Sequence, residues 1–165
     1  MNEGLLLARL VFGLVMAAHG AQKLFGWFGG YGIAGTGNFF ESIGFRPGRL
    51  FAALAGIGEF GGGLLLALGF LGPIGPALVL SVMIVAAMTL HLGKGLFAAT
   101  NGIELPLLYS AASVALALTG PGLLSVDAAI GLTSTPALAL IAIAIGVVGA
   151  VVNLALRRNP APATA

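Results

Sequence analysis

The residues best suited to chemistry are a few ionisable and polar side chains that lie within strongly apolar sequence. His19, Gln22 and Lys23 fall within five consecutive positions, and Glu59 is the one acid in the apolar stretch 50–72. An imidazole, an ammonium group and a carboxylate can exchange protons and can hydrogen-bond to a carbonyl or hydroxyl oxygen. We therefore expect Glu59, His19 and Lys23 to be the catalytic groups of a membrane-embedded site.

Six further residues are predicted to bind a ligand beside these groups: Gln22, Trp27, Phe28, His91, Asn101 and Glu104. Simpler roles stay open for several of these residues. Lys23 suits an anchor at a helix end, His91 suits the membrane interface, and a carboxylate such as Glu104 is favoured in the first turn of a helix. Glu59 could instead form a structural ion pair with Lys23 or His19, because an unpaired carboxylate in an apolar span is costly. We predict no metal site, and the lack of cysteine excludes thiolate-bound zinc and iron–sulfur clusters.

The composition indicates what kind of structure must position these groups. Of the 165 residues, 59% are hydrophobic and 7% are charged, whereas charged residues supply about a quarter of a typical soluble domain. So few charges cannot cover a soluble globule, which excludes an ordinary soluble enzyme, a disordered chain and a nucleic-acid-binding domain. The chain is predicted to be an integral membrane protein whose main partner is the lipid bilayer, with no nucleic-acid partner.

Five apolar stretches approach the roughly 20 residues that a helix needs to cross a bilayer; they are 4–25, 50–72, 74–92, 103–119 and 136–156. Prolines near the start of the last three favour helix starts there, because a missing N–H costs little at that position. We predict an all-α membrane protein with a transmembrane bundle in residues 1–127 and an extra transmembrane helix in 128–158. Residues 159–165 are predicted to be a disordered tail.

The segment 26–49 between the first two spans is rich in glycine and aromatic residues. Asn38 followed by Glu41 is typical of a helix N-cap, so a short interfacial helix is predicted at 39–43. Two interpretations of the aromatic residues stay open. They could form a belt that anchors the loop at the lipid headgroups, or a lid over the polar residues.

The distribution of basic residues predicts the orientation of the spans. Six of the seven fall on one side of the five-span arrangement, namely Lys23, Arg46, Arg49, Lys94, Arg157 and Arg158. Because cytoplasmic loops are enriched in Lys and Arg, the N-terminus is predicted to lie outside and the C-terminus in the cytoplasm. The same arrangement places the predicted site residues in the membrane half on the basic side. Arg9 is the exception, and we expect it to snorkel to the opposite surface or to pair with Asp127.

Small residues recur at four-residue spacing in the first, second and fifth spans, which predicts close packing of helices. In the fifth span the spaced residues are Ala142, Gly146 and Ala150. Such a series serves packing within one bundle, or, through the fifth span, a contact between the copies of a homo-oligomer. Both uses stay open.

Several motifs together carry a resemblance to a known family. They are 19–30 (HGAQKLFGWFGG), Gly35-Thr36, Phe39-Phe40, 44–47 (GFRP), Ala55-Gly56, Glu59-Phe60, 61–66 (GGGLLL), and more weakly Asn101-Gly102, Glu104-Leu105 and 118–122 (LTGPG). With these motifs the chain resembles the DoxX family of small bacterial and archaeal membrane proteins over about residues 5–127. The resemblance implies a four-helix membrane bundle, so the span at 136–156 goes beyond the family pattern. The link 72–76 (GPIGP) also departs from the Thr- and Arg-bearing link that is usual there.

The resemblance implies a membrane-associated redox function. Related proteins are described as a small subunit of thiosulfate:quinone oxidoreductase, and as the membrane part of a complex with a superoxide dismutase and a sulfurtransferase. On that basis we predict a subunit of a quinone-linked or oxidative-stress complex in the bacterial or archaeal cell membrane. It would offer a quinone or proton site, or an anchor, with no covalently bound cofactor and no electron carrier of its own. A soluble redox partner would supply the electrons, so the oxidoreductase activity would need the complex.

Three other functions stay open from the residues alone. His19 and His91 could ligate a b-type haem, although their unequal depths in the spans argue against it. Glu59 beside glycines also suits a proton-coupled transporter of a small solute. A non-catalytic membrane scaffold would need none of the polar groups.

Overall fold

The computed structural model describes residues 2–158, and within them every regular element is helical. The α-helices are α1 (Asn2–Phe25), α2 (Gly32–Ser42), α3 (Gly48–Leu68), α4 (Ile74–Ala86), α5 (Glu104–Thr119), α6 (Val126–Ala129) and α7 (Pro136–Ala155). A π-helical turn, Ala87–His91, continues α4, and short 3-10 turns lie at Trp27–Gly29 and Ala98–Thr100. The tail predicted at 159–165 lies outside the described residues.

Four of these elements are long and apolar enough to cross a membrane: α1, α3, α4 with its π-helical turn, and α7. Helix α5 is apolar but has 16 residues, a length of about 24 Å at 1.5 Å per residue. The predicted all-α membrane fold, with a further C-terminal apolar helix, is confirmed. Local signals set the helix ends: Gly69 closes α3 in the left-handed conformation, and the hydroxyl of Thr135 caps α7, whose first residue is Pro136.

Helices α1 and α3 pack at backbone distance because small residues face each other along their contact. A Cβ atom added to Gly63 would lie 2.5 Å from the carbonyl oxygen of Gly13, and one added to Gly20 would lie 2.7 Å from that of Gly56. Neither position has room for a methyl group. The packing of α1 on α3 brings the polar residues near the end of α1, which are His19, Gln22 and Lys23, next to Glu59.

The small residues of α7 pack against α4 of the same chain. A Cβ on Gly146 would lie 2.6 Å from the carbonyl oxygen of Ala77, Ala150 is fully buried, and Ala142 is half-buried. Helix α4 also packs against α3 and α5, so it lies in the middle of the bundle. The four-residue spacing in α7 therefore serves packing within the chain.

The segment between α1 and α3 folds into a longer helix than the one predicted at 39–43. Helix α2 already begins at Gly32, so Asn38 lies inside it and caps nothing. The Glu41 carboxylate instead accepts a hydrogen bond from the Gly48 backbone N–H at 3.0 Å, outside the helix. Glycine disfavours helix by about 1 kcal/mol per residue relative to alanine. Packing on α3 overrides that preference, since Gly37 and Gly48 lie where the two backbones meet.

Arg9 does not reach the membrane surface, because its side chain is buried inside the end of the molecule opposite the basic residues. Its guanidinium donates hydrogen bonds to the backbone carbonyls of Pro121 and Leu124. Asp127 interacts favourably with the Arg9 charge, and its carboxylate accepts from two backbone N–H groups of the α3–α4 turn, at 2.9 and 2.7 Å. Of the two expectations for Arg9, the structure favours the association with Asp127, reinforced by backbone carbonyls.

Candidate functional site

A cavity of about 1000 Å³ lies between the membrane-spanning helices, toward the end that carries the basic residues. Its wall includes side chains from α1, α2, α3, α4, α5 and α7. Most of the lining is apolar, and the polar residues that contribute to it are His19, Gln22, Lys23, Tyr31, Thr36, Glu59, Ser81, Thr89, His91, Tyr109 and Asn153. An apolar cavity with a few convergent polar groups is typical of a small-molecule site.

An ion pair between Lys23 and Glu59 is the main charged feature of this cavity. The Lys23 Nζ atom lies 2.5 Å from the Glu59 Oε2 atom, and the side chains are 24% and 4% exposed. The pair forms because Gly56 lets α1 approach α3 at this level, where an added Cβ would lie 2.7 Å from the Leu24 side chain. Pairing lowers the high cost of burying a carboxylate in an apolar span. The more exposed ammonium keeps further N–H groups for a ligand in the cavity.

His19 and Gln22 line the same cavity and each hydrogen-bonds to a backbone carbonyl. The His19 Nδ1 atom lies 2.9 Å from the carbonyl oxygen of Val15. Because a carbonyl oxygen only accepts, Nδ1 carries the proton, and Nε2 is the ring nitrogen that this contact does not use. Gln22 donates from Nε2 to the carbonyl oxygen of Phe28 at 3.1 Å. Gln22 thereby fixes the 3-10 turn that follows α1.

His91 reaches the cavity, whereas Asn101 and Glu104 shape the loop beside it. The His91 Nδ1 atom lies 2.7 Å from the backbone carbonyl oxygen of Asn101, and the Glu104 carboxylate accepts from the Ala98 N–H at 2.7 Å. Neither Asn101 nor Glu104 lines the cavity. Their contacts order the segment between α4 and α5, which holds His91 in place.

Trp27 and Phe28, predicted as the aromatic wall of a ligand site, lie outside the cavity and are 56% and 71% exposed. The aromatic residues that do line it are Tyr31, Phe39, Phe40, Phe45, Phe51 and Tyr109. Three of these come from α2 or its N-terminal flank. The aromatic segment therefore has two parts: the 3-10 turn is exposed as a belt would be, and α2 covers one side of the polar residues.

Sequence reasoning missed the polar residues that the later helices contribute to the cavity. Tyr109 on α5 and Asn153 on α7 are each a polar residue in a strongly apolar helix, which is the signal that identified Glu59. Thr89 and His91 belong to the π-helical turn at the end of α4. Such turns often occur at functional sites, but no sequence pattern predicted this π-helical turn.

The arrangement offers hydrogen-bond donors, a buried ion pair and aromatic surface to one small, mainly apolar molecule. Among the described residues there is no group of three or more His, Cys, Asp or Glu side chains that could hold a metal ion. His19 and His91 both line the cavity and both use Nδ1 in a backbone contact.

Comparison with known proteins identifies one family. The family model described as DoxX matches residues 4–92, which is 89 of the 165 residues. The matched region includes α1 from residue 4 onward, α2, α3 and α4 with its π-helical turn. Neither the curated proteins nor the solved structures gave a match. The matched region contains the Lys23–Glu59 pair, while Tyr109 and Asn153 lie beyond it. From its matched region, this chain belongs to the DoxX family of membrane proteins.

Proposed function

We propose that this chain is the membrane subunit of a redox complex and binds a quinone in the cavity beside Lys23 and Glu59. The observation that carries the proposal is the Lys23–Glu59 pair, which lies at the wall of an apolar, aromatic-lined cavity of about 1000 Å³ among the membrane-spanning helices. A quinone head group is flat and apolar with two carbonyl oxygens. It therefore needs aromatic surface and a small number of donors, as this cavity provides.

The residues suit the proton side of quinone reduction. Converting one quinone to its quinol consumes two electrons and two protons. In the proposal the electrons come from a reduced flavin or metal centre in a soluble partner subunit. The Lys23 ammonium donates a hydrogen bond to one quinone oxygen and stabilises the negative charge that develops there. Glu59 holds the ammonium in place and, with Lys23, passes protons from the nearby membrane surface to the reduced ring.

The proposed location is the cell membrane of a bacterium or archaeon, with the basic end of the molecule in the cytoplasm. That end carries the loop between α1 and α3, the loop between α4 and α5, and the end of α7. Six Lys and Arg residues lie in these segments or in the last or first turn of the helices that adjoin them, which favours the cytoplasmic side. A soluble electron donor would dock on this face, because the cavity lies closest to it.

Purification in mild detergent tests the proposal directly. Organic extraction of the purified protein should release a quinone, and added decylubiquinone should bind saturably. Lys23→Met should weaken that binding at least about 10-fold, since a hydrogen bond from a charged donor contributes about 1.5–3 kcal/mol. Lys94→Met is the matched control, because Lys94 is exposed in a loop and does not line the cavity.

The double variant Lys23→Met/Glu59→Gln guards against a folding artefact, because it removes both charges together and leaves neither unpaired. It should stay folded and bind the probe as weakly as Lys23→Met. An extract without quinone, together with no saturable binding of decylubiquinone by the wild-type protein, would refute the proposed function.

A further inference from the structure

We infer that the hydroxyl of Tyr109 donates a hydrogen bond to the ligand of this cavity, at a position deeper in the membrane than Lys23. The inference rests on the proposed function, since it assigns a second recognition point to the same ligand. Tyr109 lies on α5, beyond the region that the family model matches.

The ring of Tyr109 is held in one orientation by its neighbours. It packs edge-on against Phe12, with ring centroids 5.5 Å apart and an interplanar angle of 88°. It also packs against a buried cluster of Met16, Val79 and Met83. These contacts fix the ring while the residue still lines the cavity.

The hydroxyl group of Tyr109 makes no hydrogen bond to any other part of residues 2–158. It is also not sealed inside the protein, since the buried polar atom without a partner in that range belongs to Arg9. A tyrosine hydroxyl in apolar surroundings normally finds a partner, because leaving it unpaired costs free energy. Since Tyr109 lines the cavity, a molecule bound there is the natural acceptor.

The two donors mark different levels of the cavity along the membrane normal. On α1, Tyr109 contacts Phe12 and Glu59 contacts Lys23, and these two α1 residues are eleven positions, or about 16 Å, apart. Side chains on a helix lean toward its N-terminus, so Lys23 extends from the end of α1 into the membrane, where it meets Glu59. The two donor groups are therefore closer together than the backbone positions that carry them.

A ligand that spans this gap needs a hydrogen-bonding oxygen at each end of a flat, apolar body. A para-quinone has that form, with two carbonyl oxygens on opposite edges of one ring. In the inferred pose, Lys23 donates to one carbonyl and Tyr109 to the other. A molecule with a single polar group could accept a hydrogen bond from only one of these two donors.

Tyr109→Phe tests the inference with the smallest change, because it removes the hydroxyl and keeps the ring and its packing. Decylubiquinone binding should weaken about 5-fold, the effect of one neutral hydrogen bond. Thr119→Val is the matched control: it removes a hydroxyl from the same helix, at an exposed position that does not line the cavity. It should change the dissociation constant less than 2-fold.

An infrared measurement separates a ligand contact from an indirect effect on the fold. Bound quinone labelled with ¹³C at one carbonyl should show a lowered C=O stretch for each hydrogen-bonded oxygen. Tyr109→Phe should raise the stretch of one carbonyl, and Lys23→Met should raise that of the other. If the wild-type protein binds the probe and Tyr109→Phe leaves both the affinity and the carbonyl bands unchanged, the inference is wrong while the proposed function stands. If the wild-type protein binds no quinone, both are wrong.

Discussion

The close contact of α1 and α3 can be tested with two glycines that are neighbours on one helix and differ in their surroundings. A Cβ added to Gly63 would lie 2.5 Å from both the backbone nitrogen of Ala17 and the carbonyl oxygen of Gly13. A Cβ added to Gly61, two residues earlier on α3, would have no heavy atom within 4 Å. Gly63→Ala and Gly61→Ala are therefore the same chemical change in crowded and open space.

The expected magnitudes follow from that difference. Carbon atoms pack at about 3.5–4.0 Å, so Gly63→Ala must push the two helices about 1 Å apart. Overpacking of this kind costs about 1–3 kcal/mol, and replacing glycine by alanine within a helix returns about 0.5–1 kcal/mol. Gly63→Ala should therefore lose about 1–2 kcal/mol of unfolding free energy, while Gly61→Ala should gain about 0.5–1 kcal/mol by the same helix preference.

Both variants can be followed by unfolding in a series of detergent mixtures with increasing dodecyl sulfate, using far-ultraviolet circular dichroism. Gly63→Ala should also weaken quinone binding, because a wider spacing of the helices moves Lys23 away from Glu59. Equal stability of the two variants, or a Gly63→Ala protein more stable than Gly61→Ala, would refute the packing account of α1 and α3.

Three further predictions concern charged residues and use the same unfolding measurement. Lys23→Met should lower the free energy of unfolding by about 3 kcal/mol, because it leaves a buried carboxylate without its partner. Adding Glu59→Gln should recover most of that loss. No recovery in the double variant would argue against the ion pair. Arg157 donates from Nε to the backbone of the α2–α3 loop at 2.7 Å and lies over an aromatic ring there, so Arg157→Ala should cost about 1–2 kcal/mol and speed hydrogen exchange in that loop. Arg158 contacts the same loop through its backbone N–H, so Arg158→Ala is the control and should leave exchange unchanged. Arg9→Leu should cost about 3 kcal/mol, since two partly buried backbone carbonyls lose a charged donor. A loss below about 1 kcal/mol would mean that water replaces the guanidinium.

The pairing of Lys23 with Glu59 shows how much of the site the positions of polar residues along the chain can predict. Both residues were predicted to lie in one membrane half, because alternating spans return the chain to the same side. That placement narrowed the partners of Glu59 to His19 and Lys23. The choice of Lys23 depended on the contact at Gly20 and Gly56, which sets how the two helices are rotated against each other.

The aromatic residues show where closeness along the chain differs from closeness in space. Trp27 and Phe28 are adjacent to the polar group in sequence, yet the turn at Gly26 points them away from the cavity. Tyr109 is far away in sequence and lines the cavity because α5 packs beside α4. Closeness along the chain did not predict closeness in space, because each loop changes the direction of the chain.

By itself the sequence determined the class of the protein and the list of groups that could do chemistry. Composition decides membrane insertion, since 7% charged residues cannot solvate a globule, and apolar length decides where helices can cross. Composition and apolar length are sums over a segment, so they can be obtained from the sequence without a structure. Tertiary structure decided which polar groups meet, that α2 begins at Gly32, and that Arg9 is buried on loop carbonyls. Those outcomes depend on contacts between segments that are distant in sequence. The contacts form only at the rotation and spacing of the helices that bury small residues against each other.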